Sequence, residues 1–384
     1  MRFDLLHVLS DPHRTSPWTA LRDETRDVAV LADELGFDGF WLGEHHFDAP
    51  GVDACPNPVM LAADLTGRTS RIRLGMAAVT LPLWHPVRLA EDLAMLDHFS
   101  DGRLDVAFSR GILPGEIMNL NPDADRSDEE RSRAIFAENL EIVKRAWTTD
   151  PFSWHGERYR IPWPKLKWAG EAYKPYHGED GYLEGIAVIP QPFQKPTPPL
   201  YAVSENAKGF RLAARQGLGS ITAFPTGKVL GTMRDAYFEE AGKVGLAPEL
   251  RRSAVSRNLC VAETDEEARR LVEDDVNAFF ELIKQVRGLR AWLDEGEDPD
   301  DPKLNAMNGF DLLLERDHLM VGTPESVTER LIRMSETQGL DHVLLSSGRL
   351  PRDAGERCLR LFAEEVAPAV RRAVEQRAAA KEKR

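Results

Sequence analysis

Apolar residues along this chain follow two periods in turn. Compact runs of branched and aromatic residues fall at 2–9, 37–43, 72–80, 103–109, 199–204, 218–223, 253–262 and 341–347, the pattern of buried strands. Between them apolar positions recur at three- and four-residue spacing and predict helices at 18–35, 57–68, 86–99, 127–147, 206–216, 229–244, 264–285, 324–338 and 353–375. Pro86 and Pro324 stand at first helical positions, where a missing N–H costs nothing, and Thr323 is a capping residue. Gly36, Gly217 and Gly339 each follow a helical run as a stop. Strand then helix, eight times over, predicts an α/β fold of the (β/α)8 TIM-barrel type. An open doubly wound sheet would want a G-x-G-x-x-G turn after an early strand, and the sequence has none.

Two stretches break the alternation. Residues 148–198, before the fifth strand, are rich in Trp, Tyr and Pro; residues 286–320, between the seventh and eighth, hold the acidic run Asp294 to Asp301. Connections this long are usually functional or disordered. The first reads as a lid, with Trp154, Trp163, Trp168, Tyr173 and Tyr176 lining a site for an apolar or aromatic substrate. The second reads as a solvated, partly mobile segment, with Ala306 to Leu314 near the site. The expected organisation is one barrel domain over 1–376 with these two insertions, and a frayed tail at 377–384.

Composition narrows the function classes. The 384 residues are 42 % hydrophobic and 29 % charged, which suits a soluble protein with a sizeable core. A net charge of −14 argues against a general nucleic-acid or anionic-membrane surface. It leaves room for an anionic ligand, which needs only one or two local arginines. No run approaches the roughly 20 apolar residues of a membrane span. Met1 to Leu9 reads as a first strand and not as a signal peptide. The 3 cysteines, Cys55, Cys260 and Cys358, are widely spaced and predict reduced thiols in a cytoplasm, without metal-ligand spacing. Cys55 lies near the His-His loop described next and reads as a packed thiol.

Candidate chemistry gathers at strand ends, the edge where barrels place it. The second strand closes on Glu44-His45-His46-Phe47, two histidines beside a carboxylate. The fourth ends in Ser109-Arg110-Gly111: a guanidinium gives an anion a charge-assisted fork, and glycine lets backbone N–H groups approach. An arginine paired with an acid on the rim is the other reading there. The fifth strand runs through Ser204-Glu205-Asn206 into a helix start, suited either to phosphate or to a simple cap by Ser204 or Asn206. In the third strand, Gly75-Met76-Ala77-Ala78 has small residues that leave room for a flat ligand or reflect tight barrel packing.

In this order and on these strands, the clusters resemble the bacterial-luciferase-like flavin-dependent monooxygenase family. The least common pieces are Trp41-Leu42-Gly43-Glu44-His45-His46-Phe47, His85-Pro86-Val87-Arg88-Leu89-Ala90-Glu91-Asp92 and the arginine-glycine strand end within Gly102 to Gly111. The likeness runs from Met1 to about Gly219, then resumes at Val321-Gly322-Thr323-Pro324 and from Gly339 onward. It implies a barrel that binds reduced FMN at its carboxyl face. Arg110, with Ser109 beside it, and Arg133 would hold the phosphate. Glu205, Asn206 and Gly209 would surround the phosphate and ribityl chain. Ala77 and Ala78 match a pair joined by a cis peptide beneath the flavin ring. His45 matches the catalytic histidine, with Glu44 beside it. Ser109 stands where the luciferases carry a reactive cysteine, and Asn206 and Gly209 replace hydroxyl residues. These departures weaken any claim of light emission or long-chain aldehyde use.

The resemblance implies a two-component, FMNH2-dependent monooxygenase that activates molecular oxygen as a flavin hydroperoxide to oxidise a small apolar or aromatic substrate. A separate NAD(P)H:flavin reductase would supply the cofactor, in keeping with the absence of a dinucleotide fingerprint. His45 would act as acid or base, and His46 would support the loop. The resemblance also suggests a homodimer built on 57–68 and 86–99. A deazaflavin-dependent oxidoreductase and a non-catalytic flavin-binding protein are the alternatives.

Overall fold

Eight parallel strands close on themselves in the computed structural model, which describes residues 1–12, 14–47 and 51–382. They are β1 (Arg2–His7), β2 (Gly39–Leu42), β3 (Arg73–Thr80), β4 (Leu104–Ser109), β5 (Leu200–Val203), β6 (Gly219–Thr222), β7 (Ser253–Val261) and β8 (His342–Ser346). Each pairs with the next, and Arg2 of β1 lies opposite His342 of β8, so the sheet is a barrel. A further strand, Leu319–Gly322, pairs with the far half of β7, Leu319 facing Asn258. It was not among the expected strands.

Helices form where periodicity placed them, within two residues of the expected limits up to Pro324–Gln338. Gly36 and Gly339 end theirs in the left-handed region, at φ 79° and 64°. The last helix is interrupted by a π-turn at Phe362–Val366 and then runs from Ala367 to Glu382. It crosses most of the tail expected to fray; residues 383–384 lie outside the described residues. No helix among the described residues is long and apolar enough to cross a membrane.

Alternation along the strands sorts side chains into two cores. The larger lies between barrel and helices. The smaller fills the barrel with Trp41, Ala107, Tyr201, Ile221, Ala254 and Leu344, capped above by Leu6, Ala77, Ala78 and Val203. Gly75 is required here, because a Cβ would lie 2.1 Å from the Trp41 ring. Tight packing therefore explains Gly75, while Ala77 and Ala78 sit higher and remain partly accessible. Below Trp41 the interior is charged. Asp4 accepts from Trp41 Nε1 (2.6 Å), Arg2 Nε (2.8 Å) and His342 Nε2 (2.9 Å). Asp105 accepts from Arg2 Nη2 (2.7 Å) and from Arg73 Nε and Nη2 (3.0 and 2.9 Å).

Both insertions differ from expectation. Residues 148–198 form an external brace, not a lid. Phe152 is buried, Trp154 donates to Glu138 on helix Glu129–Thr148, and Gln194 fastens to Asp97 and the Leu104 carbonyl at the barrel's amino end. At the rim the brace reaches Asp123 through Arg158 and His85 through Tyr159. Trp163 and Trp168 are exposed, and Trp168 stacks on Tyr173. The 286–320 segment is anchored, not solvated. Leu289, Trp292, Phe310, Leu312 and Leu313 are buried, Trp292 stacks on Phe280, and Arg316 forks onto Glu297 (2.6 and 2.9 Å). Its acidic run concealed these apolar anchors.

Candidate active site

The chain leaves β2 through Gly43, where a Cβ would come within 2.6 Å of the Asp53 carboxylate. Buried Asp53 accepts the Leu9 N–H at 3.2 Å, and the His45 N–H donates to the Cys55 carbonyl at 3.0 Å. The 51–55 segment thus ties the exits of β1 and β2 together and fixes the backbone of His45. Burial, followed by Asp53, pushes the Cys55 thiol well up, so it is a packing group and not a nucleophile.

The Glu44 side chain takes partners other than His45. Its buried carboxylate accepts from the Thr80 N–H (2.8 Å) and Trp84 Nε1 (3.0 Å) and meets His46 Nε2 at 3.0 Å. With both oxygens so engaged, Glu44 anchors the β2 and β3 exits and holds His46. The partner of His45 is Glu116, which sequence reasoning missed. Its Oε1 lies 3.0 Å from His45 Nδ1 and accepts the His46 N–H at 2.7 Å. A carboxylate there favours the proton on Nδ1 and fixes the orientation of the ring. Glu116 belongs to the short helix Pro114–Leu120 and is 1 % exposed. Nothing in its sequence neighbourhood separates it from a surface acid; only the Pro114-Gly115 turn start, close after Arg110-Gly111, hinted at a functional loop.

That helix also links the surroundings of His45 to those of Arg110. Gly111 takes φ 82°, and a Cβ there would strike Ile117 and crowd Thr80. The glycine after Arg110 therefore serves a left-handed turn packed under the Glu116 helix, and its N–H donates to Ser109 Oγ (3.3 Å). Arg110 forks onto Glu129 at 2.8 and 3.2 Å and also meets Ser132 Oγ at 3.4 Å. Arg133, one turn along the same helix, pairs with Glu129 too. Hydrogen bonding from Arg110, then Arg133, holds the Glu129 carboxyl down to about 2, against the opposing pull of burial. Two guanidinium groups thus converge on one anionic position.

The other expected residues are placed as follows. The Ala77–Ala78 peptide is cis, and the β3–β4 register shifts there, with Ala77 opposite Ala107 and Val79 opposite Phe108. Ser109 lies opposite Thr80, whose N–H holds Glu44, so the two motifs meet across neighbouring strands. Asn206 caps helix Ala207–Arg215 by accepting the Gly209 N–H at 2.9 Å, and a Cβ on Gly209 would strike Ser204 Oγ. These two therefore hold each other, as the cap reading had it. Glu205 opens onto a cavity of about 560 Å3 with Leu113, Pro114, Ile117, Phe224, Val229 and Leu293 among its walls. The cavity brings the loops after β4, β5 and β6 to the anchored 286–320 segment.

Comparisons with known proteins bear on the family and the fold. The luciferase-like monooxygenase family profile matches residues 2–342. The oxygenase component of a flavin-dependent trigonelline monooxygenase from Acinetobacter baylyi is 28 % identical over 73 % of this chain and 70 % of its own. The 3,6-diketocamphane 1,6-monooxygenase of Pseudomonas putida is 27 % identical over 81 % and 82 %. Among solved structures, the oxygenating constituent of 3,6-diketocamphane monooxygenase from Pseudomonas putida, in complex with FMN, superposes with a TM-score of 0.77 over 96 % of this chain and 98 % of its own at 24 % identity. An F420-dependent secondary alcohol dehydrogenase shares the fold at 0.68 and 18 % identity, covering 96 % and 98 %. The chain belongs to the luciferase-like monooxygenase family.

Proposed function

We propose that this chain is the oxygenase component of a two-component monooxygenase that uses reduced FMN and molecular oxygen to oxidise a small, largely apolar substrate. A separate NAD(P)H:flavin reductase supplies the cofactor. The observation that carries this reading is the continuity of the rim. One loop after β4 begins at Arg110, half of a guanidinium pair trained on an anion, and ends at Glu116, which orients His45.

The residues present fit the cofactor. Arg110 and Arg133 would take its phosphate, Glu205 and the Asn206–Gly209 helix start would border its chain, and Ala77 and Ala78 would leave its ring space. Bound reduced flavin supplies the two electrons by which one oxygen atom enters the substrate and the other leaves as water. His45 Nε2 gives or takes the proton at the reacting group, and Glu116 keeps the ring in that tautomer. Glu44 holds the loop while this happens. The cavity sets apolar Leu113, Ile117, Phe224 and Leu293 beside charged Asp125, Arg126 and Arg290, a lining that suits a mostly apolar substrate carrying a polar group; its size, and not the aromatics of the 148–198 brace, motivates the small substrate.

Oxygen consumption with reduced FMN, measured with a flavin reductase and NADH, tests the reading. Uptake that depends on this protein and falls in His45→Ala supports it. Binding of a deazaflavin cofactor without oxygen uptake would transfer the assignment to a hydride-transferring oxidoreductase, whose anion clamp could be the same. Exposed Met60, Met95 and Phe99 on helices Pro58–Thr66 and Pro86–Phe99 further support a homodimer through that face, which light scattering on Met95→Glu would test.

A further inference from the structure

We propose that Glu129 is an internal competitor for the cofactor's phosphate. Its carboxylate holds Arg110 and Arg133 together in the free protein and leaves them when a phosphate dianion binds. The inference rests on the reading that these arginines receive the FMN phosphate.

Three observations carry it. The first is charge. Two guanidinium groups and one carboxylate sum to +1. Adding a phosphate of roughly two negative charges leaves the site at about −1 if Glu129 stays and near neutral if it goes. The second is donor count. The two oxygens of Glu129 engage Arg110 Nη1 and Nη2 and Arg133 Nη2, while Arg133 Nε remains buried without an acceptor. A phosphate brings a third oxygen. The third is freedom to leave. The Glu129 side chain is 51 % exposed, and the helix start is capped by Asp128, which accepts the Arg131 N–H. Glu129 can swing outward without uncapping the helix.

Because its carboxyl stays ionised down to about 2, the latch opens by anion exchange and not by protonation near neutral pH. The phosphate end is remote from the redox-active ring, so the competition weakens oxidised and reduced flavin by one factor. Such uniform weakening suits a cofactor that arrives from one protein and must depart again.

The test is equilibrium titration of the whole protein and of Glu129→Gln with FMN and riboflavin by flavin fluorescence, and with reduced FMN under anaerobic conditions. Glu129→Gln should bind both redox states of FMN about tenfold more tightly, corresponding to one or two charge-assisted contacts no longer contested, with riboflavin unchanged. Unchanged or weaker FMN binding in Glu129→Gln overturns the proposal and makes Glu129 an orienting partner of the arginines. If the unsubstituted protein binds riboflavin as well as FMN, or binds neither, the phosphate reading beneath it fails instead.

Discussion

The two ends of the barrel both hold buried carboxylates, and they compensate them differently. At the amino end, Asp4 and Asp105 are held below the ordinary carboxylate range. Burial opposes this, but His342 and Arg2 outweigh it at Asp4, and Arg2 and Arg73 at Asp105. Arginine keeps its proton at every accessible pH, so most of this layer is fixed in charge. At the carboxyl end, Glu44 and Glu116 meet imidazoles and backbone N–H groups. Imidazoles can change charge near neutrality. One fold thus sets buried carboxylates in two surroundings: mainly guanidinium groups, with His342 beside Asp4, at the amino end, and imidazoles with backbone N–H groups at the carboxyl end.

The sharpest way to break this contrast is to substitute one residue at each end. His45→Ala should lower substrate oxidation by about 10^2- to 10^4-fold, the usual worth of a positioned acid–base group, while thermal midpoint and FMN affinity stay close to those of the unsubstituted protein. Loss of folding instead would mean that the carboxyl-end pair is structural as well.

Asp105→Asn should do the reverse. It leaves Arg2 and Arg73 facing a neutral amide at a fully buried position, and about 3 kcal/mol of stability should be lost, read from the urea midpoint. Arg2 and Arg73 are each about a quarter exposed, which places the effect at the lower end for a buried pair. Turnover per folded molecule should not change.

These contrasts bear on what could be read from sequence. The eight strands were legible because closed parallel barrels bury both faces of each strand, leaving uninterrupted apolar runs such as Phe40-Trp41-Leu42. The placement of His45 and Arg110 at strand ends was legible because they follow such runs closely. Glu116 was not, since its pairing with His45 spans 71 positions and no local period reports it. Leu319–Gly322 was hidden for a related reason, as its pairing with β7 is decided by tertiary contact. Glu44 and His45 are neighbours in sequence, yet their side chains take different partners, Thr80 and Trp84 for the one and Glu116 for the other. Gly111 was assigned to ligand approach when its φ of 82° and the closeness of Ile117 account for it.

A pH experiment sharpens the comparison at a third position. His318, at the foot of the added strand, is buried, and burial, then Arg257, pushes its pKa down to about 3 against a smaller opposing pull from the backbone at Ala223. Its folded value lies below its unfolded one, so between about pH 6.5 and 3 the unfolded chain binds the extra proton. Its contribution is therefore complete above that window and declines as pH falls through it. Over pH 6 to 4, His318→Leu should reduce the slope of unfolding free energy by up to about 1.4 kcal/mol per pH unit. An unaltered slope in urea melts would show that His318 gains a proton partner in solution.

The smallest effect separates the two kinds of arginine. Arg73 and Arg110 each fork onto a carboxylate through two nitrogens, a geometry that a lysine ammonium cannot reproduce. At the closed end, Arg73→Lys should cost about 1–2 kcal/mol of stability, since it also forgoes contacts to the Gly102 and Leu104 carbonyls. At the open end, Arg110→Lys should leave the urea midpoint nearly unchanged, because its partner Glu129 is half exposed and such pairs contribute little. It should instead weaken FMN about tenfold against riboflavin, the worth of one lost charge-assisted contact. If Arg110→Lys lowered stability as much as Arg73→Lys and left the FMN preference intact, the guanidinium pair at the rim would be another structural lock, and the distinction between the barrel's ends would rest on His45 alone.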